Sequence, residues 1–377
     1  IAYTNCSIYT GAKKETGKGI LVNNHVIERV VDENKIGEAY TIKDLGGLNI
    51  APAFIDLQIY GGNGKLFSAE LNTDAIAATY QYCLSGGCTQ FMLTMATNTI
   101  ENFLKGIELV KQYWQQGGKG VLGLHLEGPY LNPAKKGAHI LECIKKPTVD
   151  EVAMLLEKGK GVLKMMTIAP EVCDEEIIRM LIDNDIIVSA GHSNATYAEA
   201  AKGFALGIPT ATHLFNAMSP FQSREPGLVG AVYNNNTVKS SIVPDGIHVD
   251  FVSLRISKKI MGERLFFITD AVAETSKGEY QHVFKGNHYT LPNGTLSGSA
   301  LTMMQSVKNA VAHAGISLEE ALRMASTYPA QLLKTNVPLG KIAAGYTAEF
   351  VIFNDALEGC GYWLMITQRS YRMRMKR

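Results

Sequence analysis

A (β/α)8 barrel carrying a small β-sandwich built from both chain ends is the fold predicted for this sequence of 377 residues. Two observations predict it. From about residue 50 to residue 316, eight short apolar runs alternate with longer amphipathic stretches, the mark of successive βα units. The two ends instead read as short alternating strands separated by turns. In order, the apolar runs occupy residues 53–59, 90–94, 121–126, 162–168, 186–190, 209–213, 239–243 and 265–269. Their near-continuous hydrophobicity suits parallel strands covered on both faces, and the helical stretches at 73–84, 100–115, 150–157, 174–183 and 197–206 supply cover. Eight such units predict a closed barrel, assigned to residues 51–337. Residues 1–50 and 338–377 are assigned to the β-sandwich, with strands at 3–9, 19–22, 25–31 and 38–44 and a turn and strand at 339–353. From Glu358 to Arg377 the pattern matches neither a strand nor a clean helix.

Composition excludes several classes of function. Lys and Arg number 36 against 35 Asp and Glu, a net charge of +1, so no single-sign field exists to attract nucleic acid or an anionic membrane. With 46% hydrophobic and 19% charged residues, and no apolar run of about 18 residues, the chain reads as a soluble globular protein. Six scattered cysteines form neither a disulfide framework nor CxxC pairs, and the first residues lack the pattern of an export signal. A reducing cytoplasm is the expected location.

In a barrel of this kind the chemistry lies at the C-terminal ends of the strands. There the sequence places His125-Leu126-Glu127-Gly128-Pro129, Gly191-His192-Ser193, Thr212-His213-Leu214-Phe215-Asn216, Asp245-Gly246-Ile247-His248 and Thr269-Asp270-Ala271. Glu127, His192 and His213 are a carboxylate and two imidazoles, a donor set that suits a divalent ion such as zinc with a position open to water. Asp270, at the last strand, is placed to exchange a proton with that water, although an N-cap is its structural alternative. His125 lies inside its strand and reads as a barrel-interior residue. His25, His282, His288 and His313 fall in flanking strands, a surface loop and a helix, where a structural role is expected.

These stretches, with Lys135-Lys136-Gly137-Ala138-His139, Arg224-Glu225-Pro226-Gly227 and Leu296-Ser297-Gly298-Ser299-Ala300, resemble the N-acetylglucosamine-6-phosphate deacetylase family of the amidohydrolase superfamily, in order from about residue 48 to residue 347. The resemblance implies metal ligands at Glu127, His192 and His213, and a general base, then acid, at Asp270. It implies sugar-phosphate contacts at Ala138, His139, Asn216, Ala217, Arg224, His248, Leu296, Ser297 and Gly298, with His248 also a candidate donor to the developing oxyanion. In that family the position of Arg224 reaches the neighbouring subunit's site, which implies a homodimer. The planar guanidinium suits a phosphate.

Two departures from the family pattern matter. Gln58 and Tyr60 stand where many amidohydrolases carry His-x-His for a second metal, so one metal per subunit is expected, zinc first, with iron, cobalt and manganese compatible. Nothing after Asp355 resembles the family's closing strand. The competing readings are a deacetylase for the galactosamine epimer or another N-acyl amide, and, from a different class, a metal-free scaffold on the same barrel.

Overall fold

The structure, a computed structural model, describes residues 1–336 and 338–364. Ile1–Ile55, Cys83–Gln90 and Met303–Arg377 form one compact unit, and Asp56–Tyr82 with Phe91–Thr302 form the other. The eight expected apolar runs are the eight strands of one sheet in sequence order: Phe54–Ile59, Cys88–Ala96, Val121–Glu127, Leu163–Ile168, Ile187–Ala190, Thr210–Ala211, Lys239–Ile242 and Leu265–Phe267. Neighbours from the second strand to the eighth pair in parallel. The sheet closes where Asp270 N donates to Gln58 O (3.0 Å) and Tyr60 N donates to Ala271 O (2.9 Å). This is the (β/α)8 barrel that the sequence predicts.

Several helices begin where the chain offers a hydroxyl to orphan backbone donors. Thr99 caps Ile100–Gln115 and Thr148 caps Val149–Lys158, while Thr196 and Glu199 form a reciprocal capping box on Tyr197–Ala205. In the first of these, Phe103, Ile107 and Val110 are buried on one stripe, as spacings of four and three residues require. Sequence periodicity missed the helices Gly227–Asn234 and Phe251–Met261. The first is apolar on nearly every side, and the second exposes Val252, Ile256 and Ile260, so neither carries a clean amphipathic stripe.

In the unit holding the chain ends, a four-stranded sheet contains Ala2–Thr4, Lys18–Asn23, Val26–Asp32 and Ile42–Asp44. A five-stranded sheet contains Ser7–Tyr9, Lys14–Glu15, Asn49–Pro52, Glu349–Phe353 and Gly359–Leu364. Tyr3, Ile8, Ile20, Ile50, Phe350 and Ile352 meet in one buried cluster. Two expectations are corrected. The single strand at 3–9 is two strands in different sheets, broken at Asn5, whose φ of 54° turns the chain. Gly359–Leu364, expected to match no strand, pairs antiparallel with Glu349–Phe353, because an edge strand needs only a free backbone ladder and not an apolar pattern. The remainder of that tail, 365–377, lies outside the described residues.

After the last barrel strand the chain makes an excursion that sequence reading left as loop, the antiparallel strands Val283–Phe284, His288–Thr290 and Leu296–Ser299. It returns to its start, since Ser299 N donates to Asp270 O (2.9 Å). Leu296, Ser297 and Gly298 are thereby brought to the mouth of the barrel.

Asp56, in the first strand, is 1% exposed and accepts from Thr269 Oγ1, Thr269 N (3.2 Å) and Gln58 N (3.1 Å). Burial nevertheless pushes its carboxyl up to about 7, so the folded state holds the proton more tightly than the unfolded chain. Its stabilising contribution is complete below the unfolded value of 3.8 and is lost as pH rises through about 7. Asp56→Asn, neutral throughout, should therefore gain stability relative to the wild type between pH 5 and pH 8, by roughly 2 °C or more in melting temperature. Thermal melts of both proteins at the two pH values test this, and a constant difference would reject it.

Candidate active site

Six residues from four barrel strands or the segments that follow them meet in one buried cluster. Glu127, the last residue of the third strand, is 2% exposed. Its Oε1 lies 3.0 Å from His213 Nε2, 3.4 Å from His192 Nε2 and 3.0 Å from Gln58 Nε2. Its Oε2 accepts from Tyr60 Oη and lies 3.1 Å from His139 Nε2. Burial opposes ionisation of this carboxyl, yet His192 and His139 together hold it well below the usual carboxylate range.

The partners of each ring fix which histidines can act as ligands. His192 Nδ1 lies 2.8 Å from the carbonyl of Lys135, which can only accept, so Nδ1 carries the proton and Nε2 turns a lone pair to the cluster. His139 is the reverse. Its Nδ1 accepts from the backbone N–H of Thr97 (3.2 Å), so Nε2 carries hydrogen and donates to Glu127. Although Glu127, His139 and His192 are close enough together to hold an ion, His139 is thus a donor that steadies the carboxylate. Burial opposes charge on His213, but its bond to Glu127 and the charges of Glu127 and Asp270 raise it overall. His213 Nε2 is 3.1 Å from His192 Nε2, and its Nδ1 is buried without a hydrogen-bond partner among the described residues. Two imidazole nitrogens and a carboxylate oxygen at these separations favour one shared positive charge, either a proton on His213 or a divalent ion. The donor set fits the ion.

Asp270 follows the last strand and is 9% exposed. Burial raises its carboxyl against the pull of His213 and His248, which favours a group that can hold a proton and release it. It accepts from Gln58 Nε2 (2.9 Å). Its Oδ2 lies 3.7 Å from His248 Nε2, and His248 is oriented in turn by Asp245, whose Oδ2 is 2.5 Å from Nδ1. Gln58 therefore ties Glu127, Tyr60 and Asp270 together through one amide. Backbone shape also aims the cluster. His192, His213 and Asp270 have φ of 46°, 36° and 54°, left-handed conformations that non-glycine residues adopt only when their surroundings compel them.

The cleft above the cluster is lined by Ala138, His139, Asn216, Ala217, His248, Leu296, Ser297 and Gly298, all singled out from sequence, and by Tyr60, Tyr280 and His282. Arg224 is different. It is exposed and does not line this cleft, and no Lys or Arg does so among the described residues. His125 lies inside the barrel, 3.1 Å from Leu57 O and 2.8 Å from Thr167 Oγ1, and burial pushes it down to about 4. His282, expected on a surface loop, is instead 4% exposed and faces the cleft. Only the return of the 283–299 strands, invisible in local pattern, places it there.

The model of the amidohydrolase family matches residues 49–362. The chain is 36% identical over 371 residues to the Haemophilus influenzae protein named N-acetylglucosamine-6-phosphate deacetylase, covering 96% of this chain and 97% of that one. It is 31% identical to a Shewanella protein named N-acetylgalactosamine-6-phosphate deacetylase, covering 84% of this chain and 82% of that one. Among solved structures, N-acetylglucosamine-6-phosphate deacetylase from Pasteurella multocida superposes with a TM-score of 0.92 at 33% identity, covering 96% of this chain and 97% of that one. A mutant of the Mycobacterium smegmatis enzyme in complex with N-acetyl-D-glucosamine-6-phosphate gives 0.89 at 28% identity, with 96% and 97% covered.

Tyr60→Phe keeps the ring and removes one donor to the buried Glu127 carboxylate. Its expected cost is about 1 to 3 kcal/mol, since an unmet hydrogen bond to a buried charge is expensive. Urea denaturation of both proteins measures it, and equal midpoints would show that the phenol does not hold the carboxylate.

Proposed function

Since the chain belongs to the amidohydrolase family, we propose that it removes acetate from N-acetylglucosamine 6-phosphate, leaving glucosamine 6-phosphate. The observation that carries this reading is the buried Glu127, His192 and His213 cluster beside Asp270, beneath a cleft large enough to admit a ligand and lined by polar backbone and side chains. Residues 51–337 act as the catalytic barrel and 1–50 with 338–377 as the accessory β-domain. Glu127, His192 and His213 would hold one divalent ion, with zinc first and iron, cobalt or manganese admissible to the same donors. When bound, such an ion supplies Lewis acidity to the amide carbonyl and to the attacking water.

The chain's own groups do the rest. Asp270, kept receptive to a proton by burial, takes one from the attacking water and returns it to the departing nitrogen, which leaves far more easily as an amine than as an amide anion. His248, whose Nδ1–H is held by the Asp245 carboxylate, presents Nε2 toward Asp270, and with its ring doubly protonated it serves as a donor to the developing oxyanion or the sugar. Gln58 and Tyr60 occupy the space beside Glu127 and Asp270 with neutral groups, which supports a single ion. Asn216 and the backbone of residues 296–298 bind the sugar phosphate remote from the scissile bond, and that binding orients the acetamide.

A phosphate needs a cation, and the cleft's described lining has none. Arg224 of a second copy supplies it. The exposed Phe221, three residues from Arg224, and the exposed Val252, Ile256 and Ile260 on the helix Phe251–Met261 support pairing of two copies through this region. No helix among the described residues is long and apolar enough to cross a membrane, and Cys6, Cys88, Cys143 and Cys173 are free thiols, as a reducing cytoplasm would keep them. The Shewanella relative's name keeps the galactosamine epimer as a second substrate to be measured.

Purified protein should release acetate from N-acetylglucosamine 6-phosphate with about one metal ion per chain, and Asp270→Asn should lower kcat by roughly 10²- to 10⁴-fold while retaining the ion. An acetate assay with elemental analysis of the same samples decides this. Metal-loaded protein inert on both epimers would move the substrate to another N-acyl amide. Arg224→Ala and Asp270→Asn, each nearly inactive alone, should regain activity when unfolded and refolded together, because the mixed pair contains one site with an intact Asp270 and a partner's Arg224. A mixture no more active than its components would place Arg224 outside the shared site.

A further inference from the structure

The lining of the cleft includes a histidine with no part in the chemistry above. His282 sits on the excursion after the last barrel strand and is 4% exposed, yet it lines the cleft beside Leu296, Ser297 and Gly298. Its Nδ1 lies 2.8 Å from Ser297 Oγ. Its ring is stacked on Tyr280, with centroids 6.3 Å apart and planes 14° from parallel, and meets Tyr289 edge-on at 6.5 Å. Tyr280 is itself fixed, since its hydroxyl donates to Thr97 O (2.6 Å). The ring cannot turn without breaking these contacts. Its Nε2 has no hydrogen-bond partner among the described residues, and it is not among the side-chain atoms sealed from solvent without a partner, so it retains access to the cleft. Burial pushes the imidazole down to about 4, which leaves a neutral ring near pH 7. Whichever way the Ser297 hydroxyl turns, Nε2 takes the complementary role of donor or acceptor.

From this geometry we infer that His282 is a substrate-binding residue, with Nε2 hydrogen-bonded to an oxygen of the sugar phosphate and Ser297 holding the ring in place. The inference rests on the sugar-phosphate reading of the site and adds to it a contact that orients substrate without touching the reacting amide. Nε2 meets the cleft with its hydrogen-bonding capacity uncommitted to the described residues and its ring already fixed, so a ligand oxygen that pairs with it gains affinity at little ordering cost. Because the contact is the same before and during reaction, its loss should fall on KM and not on kcat.

The test is steady-state kinetics of acetate release from N-acetylglucosamine 6-phosphate by the full chain, with melting temperature and metal content measured on each variant. His282→Ala should raise KM about tenfold and leave kcat within about threefold. His282→Gln, which restores a polar nitrogen at similar reach, should recover part of the loss. Ser297→Ala, which loosens the ring and leaves it in place, should raise KM by a smaller factor and add little to His282→Ala. KM within twofold of the wild type in His282→Ala, or a fall in kcat accompanied by loss of metal, would overturn the assignment. An inert wild type would overturn the functional reading and this contact with it, whereas an active wild type with unchanged KM in the variant overturns this contact alone.

Discussion

Keeping one buried carboxylate ionised is the constraint on which the rest of the site depends. Glu127 is almost wholly removed from water, and an isolated charge there would be prohibitively costly. The chain meets the cost by surrounding it. Tyr60, Gln58 and His139 direct hydrogens at the carboxylate, and His192 and His213 bring nitrogen atoms to one of its oxygens. These neighbours come from the first strand, the segment after the third strand, and the ends of the fifth and sixth. Such a set exists only where the folded sheet brings these separate strands together. Chemistry and tertiary structure are therefore coupled through one charge.

Closure itself is reinforced from within. The first strand and the segment after the last one are joined by backbone hydrogen bonds, and also by Asp56 to Thr269 and Gln58 to Asp270. Gln58 thus has two functions, since its amide is both a link across the seam and a donor to the two carboxylates that face each other over it. Such shared use explains why neutral, hydrogen-rich groups stand beside paired acids. They lower repulsion without adding a competing charge.

The barrel was legible because its strands are continuous apolar runs and because a motif residue at a strand's end has a predictable destination. Glu127, His192, His213 and Asp270 are separated by as many as 143 residues, yet each follows an apolar run, and the closing sheet brings them together. What escaped local pattern depends on long-range contacts or on hydrogen-bond direction. His282 depends on strands that leave the barrel and return. His139, expected only at the sugar phosphate, is bonded to Glu127 because Thr97 dictates where its proton sits. The edge strand at 359–364 is specified by its partner's backbone, while Arg224 is an exposed residue that does not line the cleft.

The left-handed backbone at His192, His213 and Asp270 sets an evolutionary tension. A β-carbon in that conformation costs about 1 kcal/mol or more, and glycine or asparagine would relieve it. At these positions the substitutions that favour a longer-lived fold remove the imidazoles and the carboxylate to which the proposed reaction is assigned. Selection for heat resistance alone would therefore drift toward a sturdier, silent barrel, whereas selection for turnover must keep compensating elsewhere in the core. The active centre is a standing load on the fold, and the tightly packed strands beneath it provide the reserve that makes the load tolerable.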